Sequence, residues 1–138
     1  MLDPMLRPVA DIDSKPFWDF CVRHELRLQR CEACGFIRNL PAPVCPSCGT
    51  SGGTWTLLSG RGAIYTYTEV HHTVFPGFKE SLPYTVAWID LAERRGLRIL
   101  SLIVDSPAAE IRIGASVEVV FDAVAPDLTI PRFRVSRS

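Results

Sequence analysis

Four cysteines fall in two knuckles, Cys31-Glu-Ala-Cys34-Gly35 and Cys45-Pro-Ser-Cys48-Gly49, with ten residues between Cys34 and Cys45. A Cys-x-x-Cys turn presents two sulfurs to one point, and the glycine after each pair lets the backbone fold around them. Two such turns close a tetrahedral four-sulfur shell. That shell suits Zn²⁺, because a d¹⁰ ion imposes no geometry of its own. With Cys31, Cys34, Cys45 and Cys48 filling every position, no place is left for water or substrate, so the expected metal is structural. Iron in the same four-thiolate shell is the main rival, since the ligands alone do not separate the two ions. Two disulfides or four free thiols would also account for four cysteines, and the paired spacing speaks for a metal against both.

A chain of 138 residues has length for one ordinary core and a satellite. Its 47% hydrophobic and 22% charged content is that of a folded globular protein. The first stretch carries Asp3, Pro4, Arg7 and Pro8 where an export signal would need an apolar run. The longest near-continuous apolar stretch, Ile99 to Val104, is far short of a membrane span. With cysteines in metal spacing, a cytoplasmic location without membrane association is expected. The fifth cysteine, Cys21, falls in a predicted helix and reads as a buried small apolar residue rather than a reactive thiol.

Net charge is zero and stays so when the chain is divided: six basic and six acidic side chains in 1–53, nine and nine in 54–138. A nucleic-acid-binding unit carries an excess of Lys and Arg. A single-stranded nucleic-acid-binding module is therefore the alternative function, not the leading one. Arg94, Arg95 and Arg98 cluster locally, as do Arg132, Arg134 and Arg137.

The first dozen residues read as a loose arm. Ser14 as N-cap, Pro16 in a first turn, and Phe17, Phe20, Cys21 and His24 at helical spacing predict a short amphipathic helix over 15–24, with Trp18 off its apolar stripe. Leu26 and Leu28 alternate with polar residues as a strand into the first knuckle, and 36–40 leaves it as the returning strand. Residues 26–53 thus have the build of a zinc ribbon, ending in Ser51-Gly52-Gly53, expected to be a flexible hinge. Beyond it the pattern is β: strands are predicted over 55–58, 63–74, 84–91, 97–104, a unit starting at Ile113-Gly114, and 130–135, with one helical turn at 107–110. Gly62 is placed for a bend or bulge at a barrel corner. The expected architecture is mostly β: an arm and helix over 1–25, a rubredoxin-like zinc ribbon over 26–53, and a five-stranded OB-fold barrel over 54–138.

Gly62-Ala63-Ile64-Tyr65-Thr66, Pro83-Tyr84-Thr85-Val86-Ala87-Trp88, Ile113-Gly114-Ala115-Ser116-Val117 and Pro131-Arg132-Phe133, following the knuckles in that order, carry a resemblance. From about residue 14 the chain resembles the acyl-CoA-associated family of zinc-ribbon plus OB-fold proteins that accompany thiolase-fold enzymes. The resemblance implies an accessory subunit that binds a thiolase-fold partner and helps bind or position a CoA thioester while carbon–carbon bonds are made or broken. Thr68-Glu69-Val70-His71-His72 and the following loop look similar to members that serve a thiolase-like aldolase shortening steroid-CoA side chains.

Taken by themselves, the residues do not make a complete enzyme. The metal cysteines are occupied, and Cys21 has no activating neighbour in sequence. His71 and His72 are the acid–base candidates, at the end of a predicted strand, where adjacent residues face opposite sides. A CoA ligand would need cations for its phosphates, and Arg61 and Arg132 are the named candidates. Phe17, Trp18, Phe75 and Phe78 are the candidate anchors for a partner.

Overall fold

The computed structural model describes residues 7–137. The expected arm lies partly outside that range, at residues 1–6. From Arg7 onward it is tied down: Arg7 pairs with Asp127 at 2.6 Å, and Asp11 accepts the N–H groups of Asp13 and Ser14 on its carboxylate. Helix α1 (Lys15–Val22) starts there with Pro16 in its first turn. Ser14 does not cap it. Its hydroxyl accepts the Asp11 N–H at 3.0 Å instead, so the Asp11 loop organises the helix start. Cys21 is fully buried, Phe17 packs on the core, and the helix ends where His24 takes a left-handed φ of +60°.

The ribbon is a three-stranded sheet with β1 (Arg27–Arg30) in the centre, β2 (Ile37–Arg38) on one side and β3 (Thr54–Leu57) on the other. The strand predicted at 55–58 was expected to belong to the barrel section. It pairs instead with β1 over four residues, Arg27↔Leu57 to Arg30↔Thr54. Arg38 locks this unit. Only 2% exposed, it donates from Nε to Gln29 Oε1 at 3.0 Å and from Nη2 to the carbonyls of Ala42 and Gly52 at 2.7 and 2.8 Å. The expected hinge at 51–53 is therefore no hinge. Gly52 also donates to Pro43 O, and Gly53 lies so close to β1 that an added Cβ would sit 3.0 Å from the Arg30 carbonyl.

Five strands form the closed barrel: β4 (Arg61–Val70), β5 (Tyr84–Leu91), β6 (Arg98–Ile103), β7 (Ser116–Ala125) and β8 (Leu128–Val135). Their order is β4-β5-β6-β8-β7, with β7 returning to β4 and only β6–β8 parallel. That is the Greek-key barrel of an OB-fold. The predicted strand over 63–74 stops at Val70, so His71 and His72 lie in the loop before the short 3₁₀ helix Pro76–Ser81.

Gly62 sits between two partner strands, opposite Leu91 on β5 and Val117 on β7. A Cβ there would run into the Asp90 carbonyl and come within 2.9 Å of Ile89 Cγ2. Glycine is needed for close approach of the strands. The bulge itself falls three residues later, where Tyr65 is skipped between the Ile64 and Thr66 pairings.

Ribbon and barrel share one core. Leu26, Leu28 and Leu58 belong to the same buried cluster as Ile64, Ile89 and Phe133 of the barrel. Polar ties cross the seam as well: Asn39 donates to Arg98 O at 2.8 Å and Arg94 to Ile37 O at 3.0 Å.

Two substitutions probe these constraints. Gly62→Ala is expected to lower stability by about 1–3 kcal/mol through overpacking, read as a lower urea midpoint at unchanged slope. Arg38→Met takes the donor from three acceptors, leaving the Ala42 and Gly52 carbonyls without it while Gln29 Oε1 keeps the Ala42 N–H, and is expected to lower stability by at least ~2 kcal/mol. Arg38→Lys should fail to restore it, because an ammonium lacks the planar fork that reaches all three.

Candidate functional site

The two knuckles are built alike. Cys31 N–H donates to Phe36 O and Gly35 N–H to Cys31 O; Cys45 N–H donates to Thr50 O and Gly49 N–H to Cys45 O, all at 2.9 Å. Gly35 and Gly49 hold φ of +76° and +79°, the left-handed region where glycine is unstrained. These turns bring the four sulfurs together. Cys31 and Cys48 Sγ are 3.6 Å apart, Cys34 and Cys45 Sγ 3.7 Å, and all four lie within 4.8 Å of one another. A tetrahedron of Zn–S bonds of about 2.3 Å has edges of about 3.8 Å, so the shell has the size the ion requires. No disulfide joins any of the four cysteines, which removes the disulfide reading. Cys31 and Cys45 are buried, Cys34 and Cys48 exposed. Cys48 Sγ lies 3.2 Å from Thr50 Oγ1, and hydrogen bonding from Thr50 draws its thiol down to about 6. The donor set fits a structural Zn²⁺.

Cys21 differs. It is fully buried, and burial pushes its thiol up to about 12, so it packs as an apolar residue.

The other sequence candidates do not converge on one point. His71 is exposed, with Nε2 3.4 Å from the Glu69 carboxylate, and His72 is exposed beside it. Because β4 has ended, strand alternation does not decide where either points. Arg61 is exposed at the start of β4, in a cleft beside the β5–β6 turn. Arg132 is largely buried beside Asp122 at 3.6 Å; burial lowers its pKa, opposed by that carboxylate. Phe75 is exposed, whereas Phe78 leans on Tyr84 with ring centroids 5.7 Å apart. Phe17 and Trp18 meet edge to face at 5.0 Å.

Phe17, Trp18 and Arg132 do meet in one place, a groove of about 860 Å³ along the outside of β5 and β6. Of its other walls, Leu40 and Leu100 were not singled out from the sequence. Trp88 and Leu100 are directly paired across β5 and β6 and remain 43% and 52% exposed, and Leu40 closes one end. Tyr65, projected by the bulge, lies under the Arg98 guanidinium at 3.7 Å. A usable signal was present. On β6 the inward Ile99 and Ile103 alternate with outward Leu100 and Leu102, so the strand is apolar on both faces. Such a strand implies cover on both sides.

Two family models match the chain, one described as "ChsH2, rubredoxin-like zinc ribbon domain" over residues 18–52 and one as "ChsH2, C-terminal OB-fold domain" over residues 55–122. The "DUF35 domain-containing scaffold protein" of Methanocaldococcus jannaschii is 38% identical over 100 residues, 71% of this chain and 68% of that protein. The "Probable enoyl-CoA hydratase alpha subunit" of Thermomonospora curvata is 34% identical over 128 residues, 93% of this chain and 39% of that protein. The chain thus spans about two fifths of the length of that hydratase subunit. Among solved structures, a chain of the "Ltp2-ChsH2(DUF35) aldolase" superposes with a TM-score of 0.83 at 33% identity, covering 94% of this chain and 98% of that one. No helix among the described residues is long and apolar enough to cross a membrane.

The metal site gives two expected outcomes. The purified protein should carry one equivalent of metal, zinc rather than iron by elemental analysis. Cys31→Ser or Cys45→Ser should release it and loosen the ribbon, because ~10–16 kcal/mol of metal binding is coupled to folding at such sites. Iodoacetamide should leave Cys21 unmodified in the native protein at pH 8 and alkylate it after denaturation, as read by peptide mass.

Proposed function

The chain belongs to the DUF35 (ChsH2) family of zinc-ribbon and OB-fold proteins, and we propose that it acts as an accessory subunit bound to a thiolase-fold enzyme, helping to bind or position a CoA thioester. The observation that carries this reading is the groove. An outer barrel face with Trp88, Leu100 and Leu40 this exposed is built to be covered. The likeness over nearly the whole length to a chain of an aldolase supports a partner that makes or breaks carbon–carbon bonds. The hydratase subunit's name supports CoA-thioester chemistry.

The metal then stiffens the ribbon and does no chemistry, because cysteine fills all four positions. When bound, it supplies a fixed cross-link between the knuckles. The chain's own groups present a surface: the ribbon holds Leu40 and Asn39 against β6, and α1 holds Phe17 and Trp18 over the same groove. The reacting atoms are handled by the partner's residues. His71 and His72, exposed on the loop after β4, are candidates for a contact at the partner's rim rather than a self-contained acid–base pair. A cytoplasmic setting, which keeps the thiolates reduced, completes the proposal.

Tagged protein is expected to retain a thiolase-fold enzyme from its own source through purification. The reconstituted pair should act on a panel of straight-chain, branched and steroid CoA thioesters that neither chain processes alone. Trp88→Ala combined with Leu100→Ala should weaken the pair by about tenfold or more. Failure to retain any thiolase-fold chain would overturn the proposal.

A further inference from the structure

Between the start of β4, the end of β5 and the start of β7 lies a cleft of about 810 Å³ lined by Arg61, Arg94, Arg95 and Arg137. Its two acidic wall residues are already engaged from outside it. Asp90 accepts from Arg98 at 2.7 Å and Glu118 from Arg134 at 3.0 Å. Among the described residues, none of the four lining arginines forms an ion pair. In a chain of zero net charge, four uncompensated guanidinium groups around one cleft are a local focus of positive potential.

One of the four is fixed in place. Arg94 donates from Nε to Ile37 O at 3.0 Å and from Nη1 to Arg95 O at 3.1 Å, with its guanidinium 4.1 Å from the centre of the Phe36 ring. The turn that carries Arg94 and Arg95 is closed by Leu97 N–H to Arg94 O and Leu91 N–H to Leu97 O. The same turn separates the cleft from the aromatic groove: Arg94 and Arg95 face the cleft, and Gly96 lines the groove. The Asp90–Arg98 pair bridges the two, with Asp90 in the cleft wall and Arg98 in the groove over Tyr65. Cations and flat aromatic surface are therefore contiguous across one rigid turn.

We propose that this arginine cleft is an anion subsite for the 3′-phosphate and pyrophosphate of CoA, with the adenine lying on the Tyr65 and Trp88 side of the turn. The proposal rests on the thioester reading above and adds where, and by which groups, the nucleotide end is held. Arg61, Arg95 and Arg137 supply charge-assisted hydrogen bonds, and Arg94 supplies a pre-positioned one. The pantetheine arm, which carries no phosphate, needs none of them.

The test is titration of the full metal-loaded chain with CoA, adenosine 3′,5′-bisphosphate and pantetheine, followed by calorimetry and tryptophan fluorescence. CoA should bind, the bisphosphate should displace it, and pantetheine should not. Arg61→Gln and Arg95→Gln should each weaken CoA about tenfold while leaving metal content and melting unchanged. Trp88→Leu should remove the fluorescence change. An unchanged CoA affinity in the Arg61→Gln/Arg95→Gln double variant, CoA that the bisphosphate does not displace, or no CoA binding at all would each overturn the subsite. If the thiolase-fold enzyme is still retained in those cases, the accessory role stands without it. A single-stranded oligonucleotide that binds more tightly than CoA, with affinity falling steeply in salt, would overturn it in favour of nucleic acid.

Discussion

The continuous apolar core that runs from the ribbon into the barrel is the constraint on which the other features depend. Leu26 and Leu28 flank and occupy β1, a ribbon strand, yet they are buried with Ile64, Ile89 and Phe133 of the barrel. Fully burying side chains of this size stabilises by about 1.5–3 kcal/mol each. The ribbon is thereby fixed to one side of the barrel as part of the same folded body. Because it is fixed, Asn39 and Leu40 arrive beside β6 and give the groove its second wall, while the Ile37 carbonyl holds the Arg94 side chain at the edge of the cleft. The groove would lose that wall if the ribbon swung freely.

Inside the ribbon, order comes from two opposite chemistries. Four sulfurs close around a point at the exposed tip, while a buried guanidinium gathers Gln29, Ala42 and Gly52 behind it. The first draws the knuckles together by coordination; the second satisfies carbonyls that a short, loop-rich segment would otherwise bury unpaired. A segment with so few regular hydrogen bonds of its own needs both.

Much of this was legible in the sequence, because the informative residues act locally. Cysteine spacing and the glycines after each pair specify the knuckles through a few bonds. The strand at Tyr84–Leu91 shows in its own alternation, and Gly62 marks the corner where two strands close in. The features hidden from the sequence depend on distant neighbours. The segment at 51–53 has the composition of a hinge and is held because Arg38 reaches back to Gly52 O and Gly52 N–H donates to Pro43 O. The strand Thr54–Leu57 looks like its β neighbours downstream, but its hydrogen-bond partner lies upstream in β1. Ser14 has the chemistry of a cap, but its hydroxyl is taken by the Asp11 N–H, and the Asp11 backbone carbonyl accepts the Lys15 N–H instead. The groove is hidden for the same reason. Trp88, Leu100, Tyr65 and Leu40 are far apart in sequence and meet only once the barrel and ribbon have joined.

The closure of the barrel is uneven. Long antiparallel ladders join most neighbouring strands, but β6 and β8 share a single register pair, Ile103↔Phe133, supplemented by Val104 N–H to Phe133 O and by the Ser101 hydroxyl donating to Pro131 O at 2.6 Å. The Ser101 side chain thus supplies a donor to the Pro131 carbonyl that the short backbone ladder does not. This stave boundary is the thinnest part of the cylinder, and Ser101, Ile130 and Pro131 along it also line the apolar groove. Whatever settles into that groove therefore lies across the barrel's own joint, and its grip and the tightness of the cylinder rise and fall together.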